Sequence, residues 1–405
     1  MYRIFRILCS VILLVALCSL IAAPAQSAEA VRKRPREYGI KFGVMATGQL
    51  NAITDVPGVL VGQVSLNSPD LGIRTGVTAI VPYAGNIFQN KVPGAYFRGN
   101  GFGKMAGGTQ IAELGNIETP IVLTNTLSIA AGLAGIIDFT VEFPENSGVR
   151  SVNGVVGETN DSGLNDIRGR HVTPEHVVQA IKSAKDGPVQ EGVVGAGMGT
   201  SAFSLKGGIG TSSRVVSTAN GGWTIGVLVQ TNFGGILSIN GVPVGIELAK
   251  RSGTGPGKLG WNYGNPANAA PGWEQIADVD GSCMMVVATN APLDSRQLER
   301  MAKRAFTALA KTGSVYSNGS GDYVIAFSTA PGNRVPHNMP ANRIANANVV
   351  HNDRMGPLFQ GVVDATEEAI INSLFMATDT GSTHALPIDV TLEIMAQFGK
   401  YIPAP

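Results

Sequence analysis

Asp280-Gly281-Ser282-Cys283-Met284-Met285-Val286-Val287-Ala288-Thr289 opens on a turn and runs without interruption into an apolar, partly β-branched segment that reads as a buried strand. Ser282 stands at the junction. A glycine before it removes the side chain that would crowd an attack of the serine hydroxyl on the preceding carbonyl, and it tolerates strained backbone angles there. Both properties suit an intramolecular acyl shift. A cut after Gly281 would give Ser282 a terminal amine with an unperturbed pKa of roughly 7.7–8.0, partly neutral near pH 7 and able to act as the serine's own base. The same Gly-Ser pair at the head of a strand also fits a plain turn.

Short β-branched runs between glycines recur along the chain: Gly58-Val59-Leu60-Val61-Gly62, Val77-Thr78-Ala79-Ile80-Val81 and Gly226-Val227-Leu228-Val229-Gln230. Each reads as a strand. Helical patterns interrupt them. Thr173-Pro174-Glu175 begins one; Asp294 to Lys311 carries Leu298, Met301, Ala302, Ala305, Phe306 and Leu309 on one face; a third runs from about Gly361 to Ala377. Strands with interspersed helices predict a layered α/β architecture. Residues 251–273 are rich in Gly, Pro and Asn without a period, and read as an exposed loop where a chain break is tolerated.

Three further places carry polar groups suited to chemistry. Ser317-Asn318-Gly319-Ser320-Gly321-Asp322 leads into a strand, with Ser320 and Asp322 spaced to share one face of an extended chain; a hairpin turn with an Asx bond accounts for it too. Asn232 ends the strand around Gln230, and Asn160 follows Val155-Val156. An amide at such a position is suited to donate to a developing oxyanion, or to cap its own turn.

Other chemistries are poorly supported. Gly195-Ala196-Gly197-Met198-Gly199-Thr200 lacks the Gly-Lys-Ser/Thr ending of a phosphate loop, and Lys206 lies too far along; a close backbone approach around a pocket fits better. The five histidines include no His-Glu-x-x-His pair and have no cysteine partner, so neither a metal nor another cofactor is expected. There is no Gly-x-Ser-x-Gly elbow. Cys283 reads as a small apolar core residue.

The chain holds 44% hydrophobic and 15% charged residues, which suits a globular protein with a sizeable core. A net charge of +1 offers no basic field for nucleic acid and points to small-molecule partners. Arg3 and Arg6 precede an apolar run from Ile7 to Ile21 and a small-residue stretch to Ala28, the three parts of a secretory signal peptide at residues 1–28. Its apolar run falls short of the roughly 20 residues that span a bilayer, so no membrane anchor is expected after processing. Export predicts a periplasmic or secreted location. Cys9 and Cys18 leave with the signal, so the mature chain keeps Cys283 alone and forms no internal disulfide.

Together these motifs resemble the family of L-aminopeptidase/D-esterase and β-peptidyl aminopeptidases, self-processing serine hydrolases of the amino-terminal-nucleophile type. The match runs from Asn51-Ala52-Ile53-Thr54-Asp55-Val56-Pro57-Gly58-Val59 through Pro120-Ile121-Val122-Leu123-Thr124-Asn125-Thr126 and Lys206-Gly207-Gly208-Ile209-Gly210 to Asp280-Gly281-Ser282, Val287-Ala288-Thr289-Asn290-Ala291-Pro292-Leu293 and Gly319-Ser320-Gly321-Asp322. The resemblance implies a four-layer αββα sandwich of distinct topology. It implies cleavage between Gly281 and Ser282 into a large subunit (29–281) and a small one (282–405), both within one domain, and oligomers of such cleaved pairs. Ser282 would be the nucleophile, Ser320 a hydrogen-bonding neighbour, Asp322 an acidic position that is glutamate in some relatives, and Asn232 the oxyanion-hole amide. Asn160 falls where some members carry a tyrosine that contacts the intermediate. The implied activity is release of amino-terminal residues from small peptides, amides or esters. Two rivals fit the same sequence: a periplasmic solute-binding protein without catalysis, and an acyltransferase of the same fold.

Overall fold

The computed structural model describes residues 31–251, 281–339 and 348–402, so the expected signal peptide and residues 252–273 of the expected loop lie outside the described residues. The first third of the chain supplies β1 (Leu60–Ser68), β2 (Ile73–Val81), β3 (Asn90–Gly101), the short β4 (Met105–Ala106), α1 (Gly108–Leu114), β5 (Asn116–Ile117), β6 (Ile121–Asn125) and α2 (Ile129–Val141). Then follow β7 (Val155–Thr159), α3 (Pro174–Lys182), β8 (Ser201–Ala202), β9 (Leu205–Lys206), β10 (Ile209–Val215), β11 (Thr224–Asn232) and α4 (Val244–Arg251). The last part holds β12 (Ser282–Thr289), α5 (Ser295–Lys311), β13 (Gly321–Ser328), β14 (Val335–Pro336), α6 (Gly356–Phe375) and α7 (Ile388–Gln397).

Two large sheets organise most of these elements, and β8 pairs with β9 in a separate two-stranded hairpin. One has the order β1-β2-β6-β7-β4; the other runs β10-β11-β12-β13-β3-β14, with β5 also paired to β3. Each contains one parallel pair, β6 with β7 and β12 with β13, and each pair is joined through a helix, α2 and α5. Parallel neighbours need such a crossover, and the helix then covers a sheet face. Accordingly α2 and α3 pack on the first sheet, while α5 and α6 pack on the second. The result is the αββα sandwich that the resemblance implies.

The burial of β12 shows why that strand sits in the middle. All eight of its residues are buried. Met284, Val286 and Ala288 join Leu123, Leu228 and Phe327 in the core between the sheets, whereas Cys283, Met285 and Val287 join Leu298, Met301 and Ala369 in the core under the helices. Strand residues alternate faces, so a run that is apolar throughout must be covered on both sides. Each buried Val or Met contributes about 1.5–3 kcal/mol. A charge at any of these positions would therefore break one core or the other.

The helices expected from capping and periodicity are present. Asp294 caps α5 by accepting from the Gln297 N–H at 2.7 Å, and the face marked by Leu298, Met301, Ala305 and Leu309 is buried. Thr173 precedes α3, with Pro174 in the first turn. α6 begins at Gly356, about a turn before the expected Gly361, because Pro357 serves as a first-turn residue and the helix is buried nearly all round. Arg251, read as the start of a loop, instead ends α4. The glycine content hides α2: Gly132 and Gly135 lower helix propensity, yet a Cβ there would meet Val156 at 2.8 Å and the Pro174 carbonyl at 2.6 Å. Close packing decides for the small residue.

A buried ionic cluster ties the amino-terminal segment to α6. Glu368 accepts from Arg214 Nη2 at 2.6 Å, from Arg36 Nε at 2.5 Å and Nη2 at 2.7 Å, and from Asn51 Nδ2 at 2.6 Å.

Candidate active site

Neighbouring strands of both sheets finish or begin at one edge of the sandwich, and there they enclose a cavity of about 530 Å³. Its wall is formed by Phe102, Gly103 and Lys104 beyond β3, Thr126 beyond β6, and Glu158 and Asn160 at the end of β7. Asn232 closes β11, and Gly281 with Ser282 opens β12. Ladder register brings them together: Ser282 lies opposite Asn232 on one side and beside Gly321 on the other. Paired residues share a face, so the Ser282 hydroxyl and the Asn232 amide look into the same cavity.

One backbone donor serves both sides of the Gly281–Ser282 peptide bond. The Gly321 N–H donates to the Gly281 carbonyl oxygen at 3.0 Å and to Ser282 Oγ at 3.2 Å. Two glycines make this closeness possible. A Cβ on Gly321 would lie 2.4 Å from Gly103 Cα and 3.1 Å from Ser282 Oγ, and a Cβ on Gly281 would lie 2.4 Å from Phe233 Cα. Ser282 is almost fully covered, with 5% exposure.

Asn232 is held from two directions. Its Oδ1 accepts from the Ser201 N–H at 3.1 Å, and its Nδ2 donates to the Asn160 carbonyl at 2.8 Å. An amide nitrogen carries two hydrogens, so one remains uncommitted among the described residues. Asn160 lines the cavity, but its side chain accepts from the Ser162 N–H at 3.0 Å. It caps its own turn, the second of the two roles open to it in sequence, and touches Asn232 through its backbone.

Ser320 and Asp322 are adjacent and buried, yet neither lines the cavity. Asp322 pairs in register with Cys283 and so faces away from the Ser282 hydroxyl. Among the described residues, neither its carboxylate oxygens nor Ser320 Oγ completes a hydrogen bond of ordinary geometry. Burial pushes the Asp322 pKa up to about 6, opposed in part by the Ser320 side chain and the Cys283 backbone. Cys283 itself is fully buried in the core under the helices, and burial raises its thiol pKa well above normal.

Glu158 escaped the sequence reading because it sits in an unremarkable Gly-Glu-Thr. Only 2% exposed, it accepts from the Lys104 N–H at 2.7 Å and from the Thr126 hydroxyl. Its carboxylate lines the same cavity as Ser282. The Gly321 N–H escaped as well, since a backbone donor has no signature in residue identity. Among the described residues no group of three His, Cys, Asp or Glu side chains is arranged to hold a metal.

Comparison with known proteins places the chain in a family. The model of peptidase family S58 matches residues 51–386. The chain is 39% identical over 375 residues to beta-peptidyl aminopeptidase BapA of Sphingosinicella microcystinivorans, covering 90% of each. Among solved structures, a beta-aminopeptidase from Burkholderia sp. superposes with a TM-score of 0.79 at 36% identity, covering 92% of this chain and all of the other. The L-aminopeptidase D-ala-esterase/amidase of Ochrobactrum anthropi, described as a variant of the amino-terminal-nucleophile hydrolase fold, gives 0.78 at 33% identity, with 91% and 99% covered.

Proposed function

The chain belongs to peptidase family S58 and is an aminopeptidase, and from that premise we propose that it is made as a precursor that cuts itself between Gly281 and Ser282. In the proposed step Ser282 Oγ attacks the Gly281 carbonyl carbon, the C–N bond breaks as the ester forms, and the nitrogen leaves as a free amine. Water then hydrolyses the ester, releasing a Gly281 carboxylate and restoring the hydroxyl. The observation that carries this reading is the shared donor: the Gly321 N–H is bonded both to the carbonyl that must be attacked and to the hydroxyl that must attack it. Preorganised N–H groups of this kind stabilise a developing oxyanion.

After the cut, the Ser282 amine takes the hydroxyl proton, and substrate replaces Gly281 in front of the serine. Asn232 Nδ2 and the Gly321 N–H receive the oxyanion, and water releases the acid. Glu158 is the carboxylate facing the cavity, and it receives the substrate's ammonium group. Asp322, behind the strand beside Ser320 and the Cys283 peptide, acts on the Ser282 end of β12 through its charge. This is an aminopeptidase acting on small peptides, amides or esters. We further propose that residues 1–28 are removed on export to the periplasm or medium, and that cleaved pairs assemble into an oligomer. Membership in a peptidase family disfavours a solute-binding protein without chemistry; added amine acceptors would expose acyl transfer.

Ser282→Ala is the decisive variant. Wild-type protein should run as two fragments on a denaturing gel, with Ser282 at the amino terminus of the smaller one and intact masses that report signal removal. Ser282→Ala should remain one chain without aminopeptidase activity. A variant still split at that position, or a wild-type enzyme that is fully active as one uninterrupted chain, would sink the proposal.

A further inference from the structure

The glycine-rich stretch Gly195–Thr200, unsuited in sequence to bind phosphate, is instead filled by a lysine of its own chain. Lys206 has no exposed surface, and its Nζ donates to the carbonyls of Gly197 at 3.0 Å, Thr200 at 2.6 Å and Gly207 at 2.8 Å. The loop turns carbonyls toward the ammonium, so it presents the wrong polarity for an anion. All three ammonium hydrogens are committed. Among the described residues no carboxylate forms an ion pair with Lys206, and burial pulls its pKa down to about 7. A buried cation without a counter-charge is costly, and an apolar residue would spare that cost if Lys206 only filled space.

What the lysine holds leads directly to the cavity. Ser201 lies opposite Lys206 across the β8–β9 hairpin. Phe203 and Ser204 turn that hairpin with φ of 54° and 62°, the left-handed pair of a type I′ turn. Its tip is docked on the end of β11: the Phe203 N–H donates to the Phe233 carbonyl at 2.7 Å, and the two rings meet edge to face at 5.0 Å. The Thr200 carbonyl and the Ser201 N–H belong to one planar peptide unit. Lys206 grips that peptide by its oxygen, and its hydrogen grips Asn232 Oδ1. Polarisation of the carbonyl strengthens the bond the N–H makes on the other side.

We infer that Lys206 is a positioning residue for the oxyanion site: through the Thr200–Ser201 peptide it fixes the orientation of the Asn232 amide, so that Nδ2 faces the carbonyl held at Ser282. The inference rests on the proposed reading of Asn232 as an oxyanion donor. Lys206 itself touches no substrate.

A double-mutant cycle on the cleaved enzyme tests it, with an aminoacyl p-nitroanilide as substrate and active enzyme counted from the small fragment on a gel. Asn232→Ala should lower kcat by about 10²–10³, as loss of one oxyanion donor does elsewhere. Lys206→Met should lower kcat by about 10–100-fold while KM stays within about twofold, and Lys206→Gln, which keeps two donors, should lose less. In the Asn232→Ala background Lys206→Met should add less than about threefold, because the group it positions is gone. Effects that multiply fully in the double variant overturn the inference. An Asn232→Ala enzyme with undiminished kcat sinks the oxyanion reading instead, so the two failures are distinct. Where a variant folds but cuts itself too slowly to supply cleaved enzyme, the rate of self-cleavage replaces kcat in the same cycle. If Lys206→Met and Lys206→Gln both fail to fold, as read by circular dichroism, Lys206 is a fold residue and the inference is overturned.

Discussion

Glu368 on α6 and Asp322 on β13 are both carboxylates with no exposed surface, and they sit in opposite hydrogen-bonding states. Glu368 collects two arginines and an asparagine amide, all within 2.7 Å. Asp322 lies one strand from the Ser282 junction, completes no ordinary hydrogen bond, and has its pKa raised to about 6 by burial. A buried charge with all its partners holds a fold together, whereas one without them is retained at a cost to stability. Here the satisfied carboxylate clamps the amino-terminal segment, and the unsatisfied one stands behind the strand that Ser282 opens. Glu158 is intermediate: it is bonded to two donors, yet lines the cavity.

The comparison breaks most visibly at Glu368. Replacing it by Ala leaves Arg214 fully buried without its carboxylate, and breaking a buried pair costs on the order of 3–5 kcal/mol. Denaturant unfolding should show that loss; an unchanged midpoint would mean that the cluster is only crowded charge. At Glu158 the expected effect is on binding. Glu158→Gln should raise KM about 10–100-fold with kcat little changed, since an ammonium contact is made equally in ground and transition states. A loss confined to kcat would instead put Glu158 in the chemistry.

The smallest effect sharpens the contrast by its sign. The folded-state pKa of Asp322, about 6, lies above the ordinary 3.8, so the native state holds this proton more tightly than the unfolded chain. Stability from this group is complete below about pH 4 and declines as pH rises through 6, leaving a cost on the order of 1–3 kcal/mol at pH 7. Asp322→Asn should therefore raise the melting temperature at pH 7, leave it nearly unchanged at pH 4, and slow both self-cleavage and turnover. Destabilisation at pH 7 would show that the carboxylate is paired after all, as Glu368 is.

Legibility followed the range of the interaction. Asp294 as a cap, the buried face of α5 and the apolar β12 depend on neighbours within a few residues, and local pattern revealed them. α2 stayed hidden because its glycines answer to Val156 and Val177, which lie on other elements. Ser282, Ser320, Asp322 and Asn232 were visible as polar residues at strand ends, but spacing told only that Ser320 and Asp322 share a face, not whether that face meets the Ser282 hydroxyl. The pairing of Ser282 with Gly321 and of Cys283 with Asp322 separated the hydroxyl from the carboxylate.

By itself, then, the amino-acid order determined a layered α/β chain with a Gly-Ser junction at the head of its central strand, since hydrophobic alternation and turn chemistry act locally. Only the tertiary structure decided that Gly321 supplies the shared N–H, that Glu158 reaches the cavity, and that Lys206 grips the peptide behind Asn232. Those groups meet across strands and hairpins, and whether a buried charge is satisfied depends on partners that sequence does not bring side by side.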